Sequence, residues 1–284
     1  MDLCLLIRSR RMGWRTRVGL VDRTRNLETK SSVASPRGPD RMTSWAPVPV
    51  RRLAMALVAL AAVMVPSLIT LWVWTPAAGD IQQRVGDRTN TLGVVLLRQG
   101  EVPSLLGQAV VATEDESFYS HHGIDSIGLG RAALYDVANL CLCQGGSTIT
   151  EQLAKDLYLG GSDRGYNKLQ DLVLALKFEQ VIGKRQILAD YVSVIPTGLN
   201  RYGVTAAACA YFHAPLNSLS LAQYALLAGV TQAPSLYDPT VDPAAAAARR
   251  RHVLSAMVAD KMISQAQADA AGREPVLDTT GPGC

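Results

Sequence analysis

Apolar residues recur at helical spacing through most of the chain, and glycine, proline or a polar cluster interrupts them at intervals typical of helix ends. Residues 91–97 differ, because their composition favours one short strand. From residue 104 onward the pattern predicts helices over residues 104–113, 125–139, 148–158, 166–182, 184–195, 203–212, 219–230, 243–259 and 264–271. We therefore predict a mainly α-helical fold.

The longest apolar run covers residues 53–74, twenty-two consecutive positions without a charge. About 20 such residues span a bilayer as a helix. Arg51 and Arg52 precede the run, and Trp72 and Trp74 lie at its other end, where aromatic side chains favour the membrane interface. Because basic flanks stay in the cytoplasm, we expect an uncleaved single-pass anchor with the N-terminus inside. A cleaved signal peptide is the alternative, although its apolar region is usually shorter, about 7–15 residues.

Charge is distributed unevenly on the two sides of this run. Residues 1–52 carry twelve Arg or Lys and four Asp or Glu, whereas residues 75–284 carry sixteen against twenty. The basic segment lacks a sustained apolar period, which predicts a disordered cytoplasmic tail. An alternative is that translation starts at Met42 or Met12, so that part of this tail is never made.

Acidic and imidazole side chains cluster between the predicted helices 104–113 and 125–139. They are Glu114, Asp115, Glu116, His121 and His122. Acids at the boundary of two helices can reach into a cleft, whereas acids on an outer helix face are usually only solvated. The cluster therefore predicts a site, with a polar surface connection as the alternative.

A second polar stretch begins with a glycine pair and opens the predicted helix 148–158. Thr148 and Glu151 have the spacing of a capping box. Free backbone N–H groups at a helix N-terminus suit an anion, and Ser147, Gln152 and Lys155 lie within the first two turns. A capped helix with an exposed lysine is the alternative interpretation.

Both stretches match sequence motifs of one family. The pattern E-D-x-x-F-x-x-H-x-G is complete in Glu114, Asp115, Phe118, His121 and Gly123. The pattern G-G-S-T-I-T-Q-Q-L-x-K-N is matched from residue 145 to residue 156, with Glu151 in place of a glutamine and Asp156 in place of the asparagine. Over about residues 102–257 the chain resembles the peptidoglycan glycosyltransferases, glycosyltransferase family 51. The resemblance implies a lysozyme-like fold with a smaller membrane-facing subdomain.

The resemblance implies an enzyme of bacterial cell-wall biogenesis that polymerises lipid II into glycan strands with inversion, and so maintains cell shape. Glu114 is the expected general base, Asp171 the second acid, and Lys155 the first partner of the diphosphate. Further substrate-binding residues expected from the motifs are Asp115, Phe118, His121, Ser147, Thr148, Gln152, Arg164 and Lys168. No metal site is expected in the protein, and a divalent cation at the diphosphate is left open.

Two later motifs of the family are only partly present. The pattern R-K-x-x-E falls on Asn167, Lys168 and Asp171, so the arginine is missing and the glutamate is shortened. In the next motif a glutamate is replaced by Ala189 and an asparagine by Ser193. We hypothesise that Arg164 reaches the position of the missing arginine. These departures keep two alternatives open, namely a catalytically silent lipid II-binding or scaffold relative and a lytic enzyme.

The domain organisation expected from these observations is a basic tail at 1–52, a transmembrane helix at 53–74, a linker at 75–101, a glycosyltransferase domain at 102–273 and a C-terminal tail at 274–284. The outer region contains no S-x-x-K motif, so we expect a monofunctional protein without a transpeptidase domain. Expected partners are lipid II, the growing glycan strand, the cytoplasmic membrane and other cell-wall synthesis proteins, but no nucleic acid. The four outer cysteines would face an oxidising exterior, where they can pair.

Overall fold

The computed structural model describes residues 50–139, 146–161, 165–198, 200–277 and 281–284. Within these ranges the chain forms eleven α-helices and a short 3-10 helix at Leu216–Ser218. One antiparallel bridge, between Pro196 and Tyr202, is the strand-like feature of this part of the chain. The prediction of a mainly helical fold is confirmed. The chain divides into two compact units, Met1–Pro66 and Ser67–Cys284.

Helix α1 (Val50–Trp74) contains the predicted transmembrane run. It is the one helix of the described residues that is long and apolar enough to cross a membrane, and its apolar side chains are exposed. The prediction of a single such helix is confirmed. Residues 1–49 of the predicted basic tail lie outside the described residues.

The nine helices predicted beyond residue 104 are confirmed, each within two residues at either end. They are α3 (Ser104–Glu114), α4 (Ser126–Asn139), α5 (Ile149–Tyr158), α6 (Tyr166–Val181), α7 (Lys184–Val194), α8 (Val204–Phe212), α9 (Leu221–Val230), α10 (Pro243–Ala259) and α11 (Gln265–Arg273). Local chemistry explains several ends. Asp242 accepts hydrogen bonds from the Ala244 and Ala245 amides, and Pro243 occupies the first helical position of α10.

The strand predicted at residues 91–97 is wrong. Its first two residues end helix α2 (Ile81–Leu92), which the sequence pattern did not predict, and Gly93 ends this helix with a left-handed φ of 64°. Helix α2 buries a narrow stripe of Ile81, Val85 and Thr89. The Leu97 amide finds no strand partner and donates instead to Ser193 Oγ at 2.9 Å.

Helix α9 lies at the centre of the larger unit, where it packs against α3, α8, α10 and α11. Its apolar side chains are buried nearly all round, as expected for a helix surrounded by others. A second group of helices forms around α5, which packs against α2, α6 and α7. The C-terminal end of α3 and the N-terminal end of α5 meet where these two groups come together, and the polar motifs lie at this place.

A disulfide joins Cys209 on α8 to Cys284, with the two Cα atoms 5.9 Å apart. Close to it, the Gly283 amide donates to the carbonyl of His213 at 2.7 Å. The disulfide therefore fixes residues 281–284 against the end of α8. Cys4, Cys141 and Cys143 lie outside the described residues.

Candidate active site

Glu114 is the last residue of α3, so its backbone is fixed by the helix while its side chain enters a polar region. One carboxylate oxygen, Oε2, accepts a hydrogen bond from Gln152 Nε2 at 3.0 Å. Gln152 Oε1 in turn accepts from the Tyr191 hydroxyl at 2.9 Å, which fixes the orientation of the amide. The other oxygen, Oε1, has no hydrogen-bond partner among the described residues and lies 3.7 Å from a terminal nitrogen of Arg249.

Burial raises the pKa of the Glu114 carboxyl, because the charged form loses its hydration. The hydrogen bond from Gln152 and the charges of Arg249 and Lys155 act in the opposite direction, but the net shift is upward. Glu114 is therefore a stronger base than an exposed glutamate, with Oε2 hydrogen-bonded and Oε1 buried without a hydrogen-bond partner in the described part of the chain.

Asp115 connects the loop after α3 to the start of α5. Its carboxylate accepts hydrogen bonds from the Ile149 amide at 3.1 Å and from His121 Nε2 at 2.9 Å. His121 Nδ1 accepts from the Gly123 amide at 3.2 Å, which fixes the tautomer with the proton on Nε2. Phe118 is fully buried in the hydrophobic core. Asp115, His121 and Phe118 thus hold the loop in shape, and the loop positions Glu114.

Thr148 completes this connection as the N-cap of α5. Its hydroxyl accepts a hydrogen bond from the Glu151 amide at 3.1 Å and donates to the Gly123 carbonyl at 2.7 Å. The predicted cap is confirmed. The reciprocal half of a capping box is not made, because the Glu151 carboxylate pairs with Lys168.

A first cleft of about 630 Å³ opens beside Glu114. Its walls come from the end of α3, the start of α4 and the start of α5, with side chains of α10 and its preceding loop. They include Glu114, Asp125, Arg131, Ser147, Thr148, Gln232 and His252. Arg131 pairs with Glu116 at 2.6 Å on the exposed rim. The lining is predominantly polar, which suits a sugar.

A second cleft of about 370 Å³ lies on the other side of Gln152. It contains the cations Lys155 and Arg201 and the acid Asp156, and Gln232 lines both clefts. Burial raises the pKa of the Asp156 carboxyl, and nearby cations oppose this shift. Glu114 is hydrogen-bonded to a residue of the second cleft while it lines the first.

Lys168 forms a separate charged cluster between α5 and α6. Its ammonium lies 2.7 Å from Glu151 Oε2, 3.2 Å from Asp171 Oδ2 and 3.0 Å from Ser147 Oγ. Burial raises the pKa of both carboxyls, and Lys168 opposes the shift. Because Ser147 lines the first cleft, this cluster connects the position of α6 to that cleft.

The structure brings together most of the residues that the motifs indicated. Glu114, Asp115, Ser147 and Thr148 line the first cleft, and Gln152 and Lys155 line the second. Lys168 contacts Ser147 of the first cleft, and Asp171 contacts Lys168. Phe118 and His121 line neither cleft. Arg164 lies outside the described residues, so its proposed role stays a prediction.

The substitutions in the fourth motif lie away from both clefts. Ala189 is fully buried, and Ser193 is buried with its hydroxyl donating to the Ala189 carbonyl. Asp190 beside them accepts hydrogen bonds from Gln82 and Gln186, both at 2.7 Å. This part of α7 therefore supports α2 and its following segment.

Sequence reasoning missed Arg249, Arg201 and Gln232. Arg249 is buried on α10 and lies far along the chain from Glu114. It belongs to a run of three arginines, a pattern typical of a solvated helix face. The turn with Arg201 and the loop with Gln232 carry no signal of chemistry. As for metal ligands, no group of three or more His, Cys, Asp or Glu side chains comes together in the described ranges.

Packed helices hold the buried Glu114 carboxylate at one polar cleft and hydrogen-bond it to a residue of a second cleft. This arrangement is suited to a helical enzyme that acts on glycans. The sequence model of one family, described as Transglycosylase, matches residues 82–258, more than half of the chain. The chain therefore belongs to this family, the peptidoglycan glycosyltransferases, and the recognition from the two motifs is confirmed. Its domain has a lysozyme-like fold.

Among characterised relatives, penicillin-binding protein 1A of Vibrio cholerae is 41% identical over 64% of this chain and 22% of that protein. Penicillin-binding protein 1A of Haemophilus influenzae is 39% identical over 71% of this chain and 23% of that protein. A 2.6 Å crystal structure of the Haemophilus influenzae protein aligns with a TM-score of 0.40 and 26% identity, over 65% of this chain and 18% of that one. The chain thus spans less than a quarter of the length of these relatives.

Proposed function

We propose that this protein is a membrane-anchored peptidoglycan glycosyltransferase that polymerises lipid II into glycan strands with inversion. The observation that carries the proposal is the Glu114 carboxylate, which lines the first cleft, is hydrogen-bonded to a residue of the second, and has one oxygen, Oε1, without a hydrogen-bond partner among the described residues.

In the proposed reaction the 4-hydroxyl of one lipid II, held in the first cleft, attacks the anomeric carbon of the donor sugar. The Glu114 carboxylate takes the hydroxyl proton as the new glycosidic bond forms. A positioned general base accelerates such a step by about 10²–10⁴-fold. The bond from the anomeric carbon to the diphosphate oxygen breaks, and the diphosphate leaves with the electron pair.

The leaving diphosphate is proposed to lie in the second cleft. Negative charge develops on it during the transfer, and a cation fixed before the reaction stabilises that charge most. Lys155 supplies one such cation, because it lines this cleft two turns into the helix that also carries Gln152. A divalent cation bound to the diphosphate would be compatible with this cleft.

Two observations support an outward-facing catalytic unit. Helix α1 can anchor the chain, which suits a substrate held by a lipid tail, and the basic segment precedes it. The Cys209–Cys284 disulfide requires an oxidising compartment for its formation. We therefore propose that residues 75–284 lie outside the cytoplasmic membrane, where they contact lipid II, the glycan strand and other wall-synthesis proteins.

A catalytically silent scaffold is the second candidate, and the neutral Asn167 at the arginine position of the third motif favours it. The buried positions of Ala189 and Ser193 argue against it, because these substitutions do not alter either cleft.

The test is an assay of the purified full chain with labelled lipid II in detergent. Long glycan strands are the expected product. Binding of lipid II without turnover would establish the scaffold, and degradation of purified sacculi would establish a lytic enzyme. Either of these results overturns the proposal.

A further inference from the structure

The second cleft holds two cations, and they differ from the other cations near Glu114. No ion pair or hydrogen bond joins the Lys155 ammonium to another described residue. Lys168 is already neutralised by two carboxylates, at 2.7 and 3.2 Å. Arg249 is directed at Glu114. The cations that line the second cleft are Lys155 and Arg201, and the ion pair of Arg201 with Asp238 is long, at 3.8 Å.

Backbone hydrogen bonds to described residues hold the main chain of Arg201. The Arg201 amide donates to the Gly198 carbonyl at 2.7 Å, and the Thr197 amide donates to the Arg201 carbonyl at 2.9 Å. Asn200 adopts a left-handed φ of 60°, and Pro196 and Tyr202 form the antiparallel bridge that closes the turn. These contacts fix the main chain at Arg201 itself.

The underside of the turn rests on Tyr211 and Asp238. A Cβ atom on Gly198 would lie 2.6 Å from the Tyr211 hydroxyl and 2.4 Å from Asp238 Oδ2, so the contact is close. The Arg201 guanidinium lies over the Tyr211 ring, 5.2 Å from its centroid. These contacts hold the side chain at the wall of the second cleft.

Asp238 orients the Arg201 guanidinium but accepts no hydrogen bond from its NH1 atom. Its Oδ2 is 3.8 Å from Arg201 NH1, which is too far for a hydrogen bond. The Asp238 oxygens lie instead at hydrogen-bond distance from the Tyr211 hydroxyl and the Thr240 amide, both at 2.9 Å. Arg201 NH1 is buried on the Asp238 side without a hydrogen-bond partner among the described residues, whereas 29% of the Arg201 side chain stays exposed where it lines the cleft. An arginine oriented at the wall of a cleft is suited to a phosphate group, which a guanidinium can bind through two parallel hydrogen bonds.

We propose that Arg201, together with Lys155, binds the lipid-linked diphosphate in the second cleft. This inference rests on the proposed function, since it assigns the leaving-group side of that same reaction. The proposed role of Glu114 is unchanged, since Glu114 acts on the attacking hydroxyl and Arg201 on the leaving diphosphate.

The test compares the full-length wild type with Arg201→Gln, Arg201→Lys and Arg98→Gln. Arg98 is exposed and lines neither cleft, so Arg98→Gln removes the same charge elsewhere. Binding of undecaprenyl diphosphate and of undecaprenyl phosphate is titrated in identical detergent micelles. Lipid II polymerisation is measured in parallel, and the Tm of each variant checks its fold.

Arg201→Gln is expected to weaken binding of undecaprenyl diphosphate by about 10–100-fold, the range for losing hydrogen bonds to a charged group. The loss for undecaprenyl phosphate should be smaller. Arg201→Lys should fall between Arg201→Gln and the wild type, and Arg98→Gln should match the wild type. Wild-type diphosphate binding in both folded Arg201 variants overturns the inference, as does an equal loss for the two lipids. A wild type that binds undecaprenyl diphosphate through Arg201 but polymerises nothing contradicts the proposed function alone.

Discussion

The two oxygens of the Glu114 carboxylate have different surroundings, and this difference gives the residue its proposed role. Oε2 is held by Gln152 at 3.0 Å, whereas Oε1 faces Arg249 at 3.7 Å without a hydrogen bond. The arginine is close enough to favour the ionised carboxylate and too far to occupy the oxygen. A base in this setting is oriented by Gln152, and its raised pKa makes it a better proton acceptor than an exposed glutamate.

Arg249→Gln should move the acid limb of the pH profile. The positive charge of Arg249 lowers the pKa of Glu114. Its removal raises that pKa, so the base loses its proton only at higher pH, and the rise of kcat/KM with pH shifts upward. Arg249→Lys keeps a charge and should keep the limb near its wild-type position. A limb that stays in place or moves to lower pH in Arg249→Gln would contradict this account.

Asp171→Asn should slow polymerisation less than Glu114→Gln does. Asp171 is the more distant of the two carboxylates on Lys168, at 3.2 Å against 2.7 Å for Glu151. The lysine therefore keeps its shorter ion pair in Asp171→Asn, and we expect kcat to fall by less than about tenfold, as for one modest hydrogen bond. Glu151→Gln, the matched change, should cost more. A loss in Asp171→Asn equal to that in Glu114→Gln would reverse this ranking.

Glu114 and Lys155 were predictable as candidates from the sequence because their motifs are local: one lies at the end of α3 and the loop after it, and the other at the start of α5. Arg249 and Arg201 were not, since each reaches the site through packing of elements distant along the chain. The neutral Asn167 was visible from the sequence, but only the structure places Arg201 in the second cleft with Lys155.

At the scale of elements, the loop after α3 is connected to both α5 and α6 through Gly123. Its carbonyl accepts a hydrogen bond from Thr148, and its Cα lies against the backbone of α6. Gly123 has a φ of 96°, which side chains rarely adopt, and a Cβ there would lie 2.7 Å from the Ala175 carbonyl oxygen. Only glycine fits where this loop passes over the backbone of α6.

Gly123→Ala should lower the free energy of unfolding by about 2 kcal/mol or more, from backbone strain and overpacking together. For a domain of this size the Tm should then fall by at least about 4 °C. Gly100→Ala is the matched control, because a Cβ at Gly100 meets nothing within 4 Å. Thermal unfolding of the two variants and the wild type is the measurement. Equal Tm values for Gly123→Ala and Gly100→Ala would show that the crossing is not tight.

The sequence pattern predicted helices with many apolar residues and missed α2, which has few of them. Helix α9 is apolar nearly all round, so its pattern was unambiguous. Helix α2 exposes most of its polar residues, and the apolar residues at its end and beyond it resembled a strand. A strand needs a neighbour, and that information is absent from the local pattern.

At the scale of the whole molecule, the Cys209–Cys284 disulfide links positions 75 residues apart in sequence. Replacing both residues, by Cys209→Ser and Cys284→Ser, should cost about 2–4 kcal/mol of unfolding free energy. The Tm should fall by roughly 4–16 °C. A reductant should lower the wild-type Tm to a similar value and leave the double variant unchanged. Polymerisation at 25 °C should persist, since neither cysteine lines a cleft. A wild-type Tm that does not respond to reductant would contradict the bond.

The central claim is that Glu114 is the general base, and the turnover of Glu114→Gln on labelled lipid II tests it most directly. The variant keeps the size of the side chain and removes its ability to take a proton. We predict a loss of about 10²–10⁴-fold in turnover, with Tm and lipid II binding close to those of the wild type. Glu101→Gln, at an exposed glutamate outside both clefts, should polymerise at the wild-type rate. Near-wild-type turnover in a folded Glu114→Gln would contradict the account and transfer the role to a neighbouring acid.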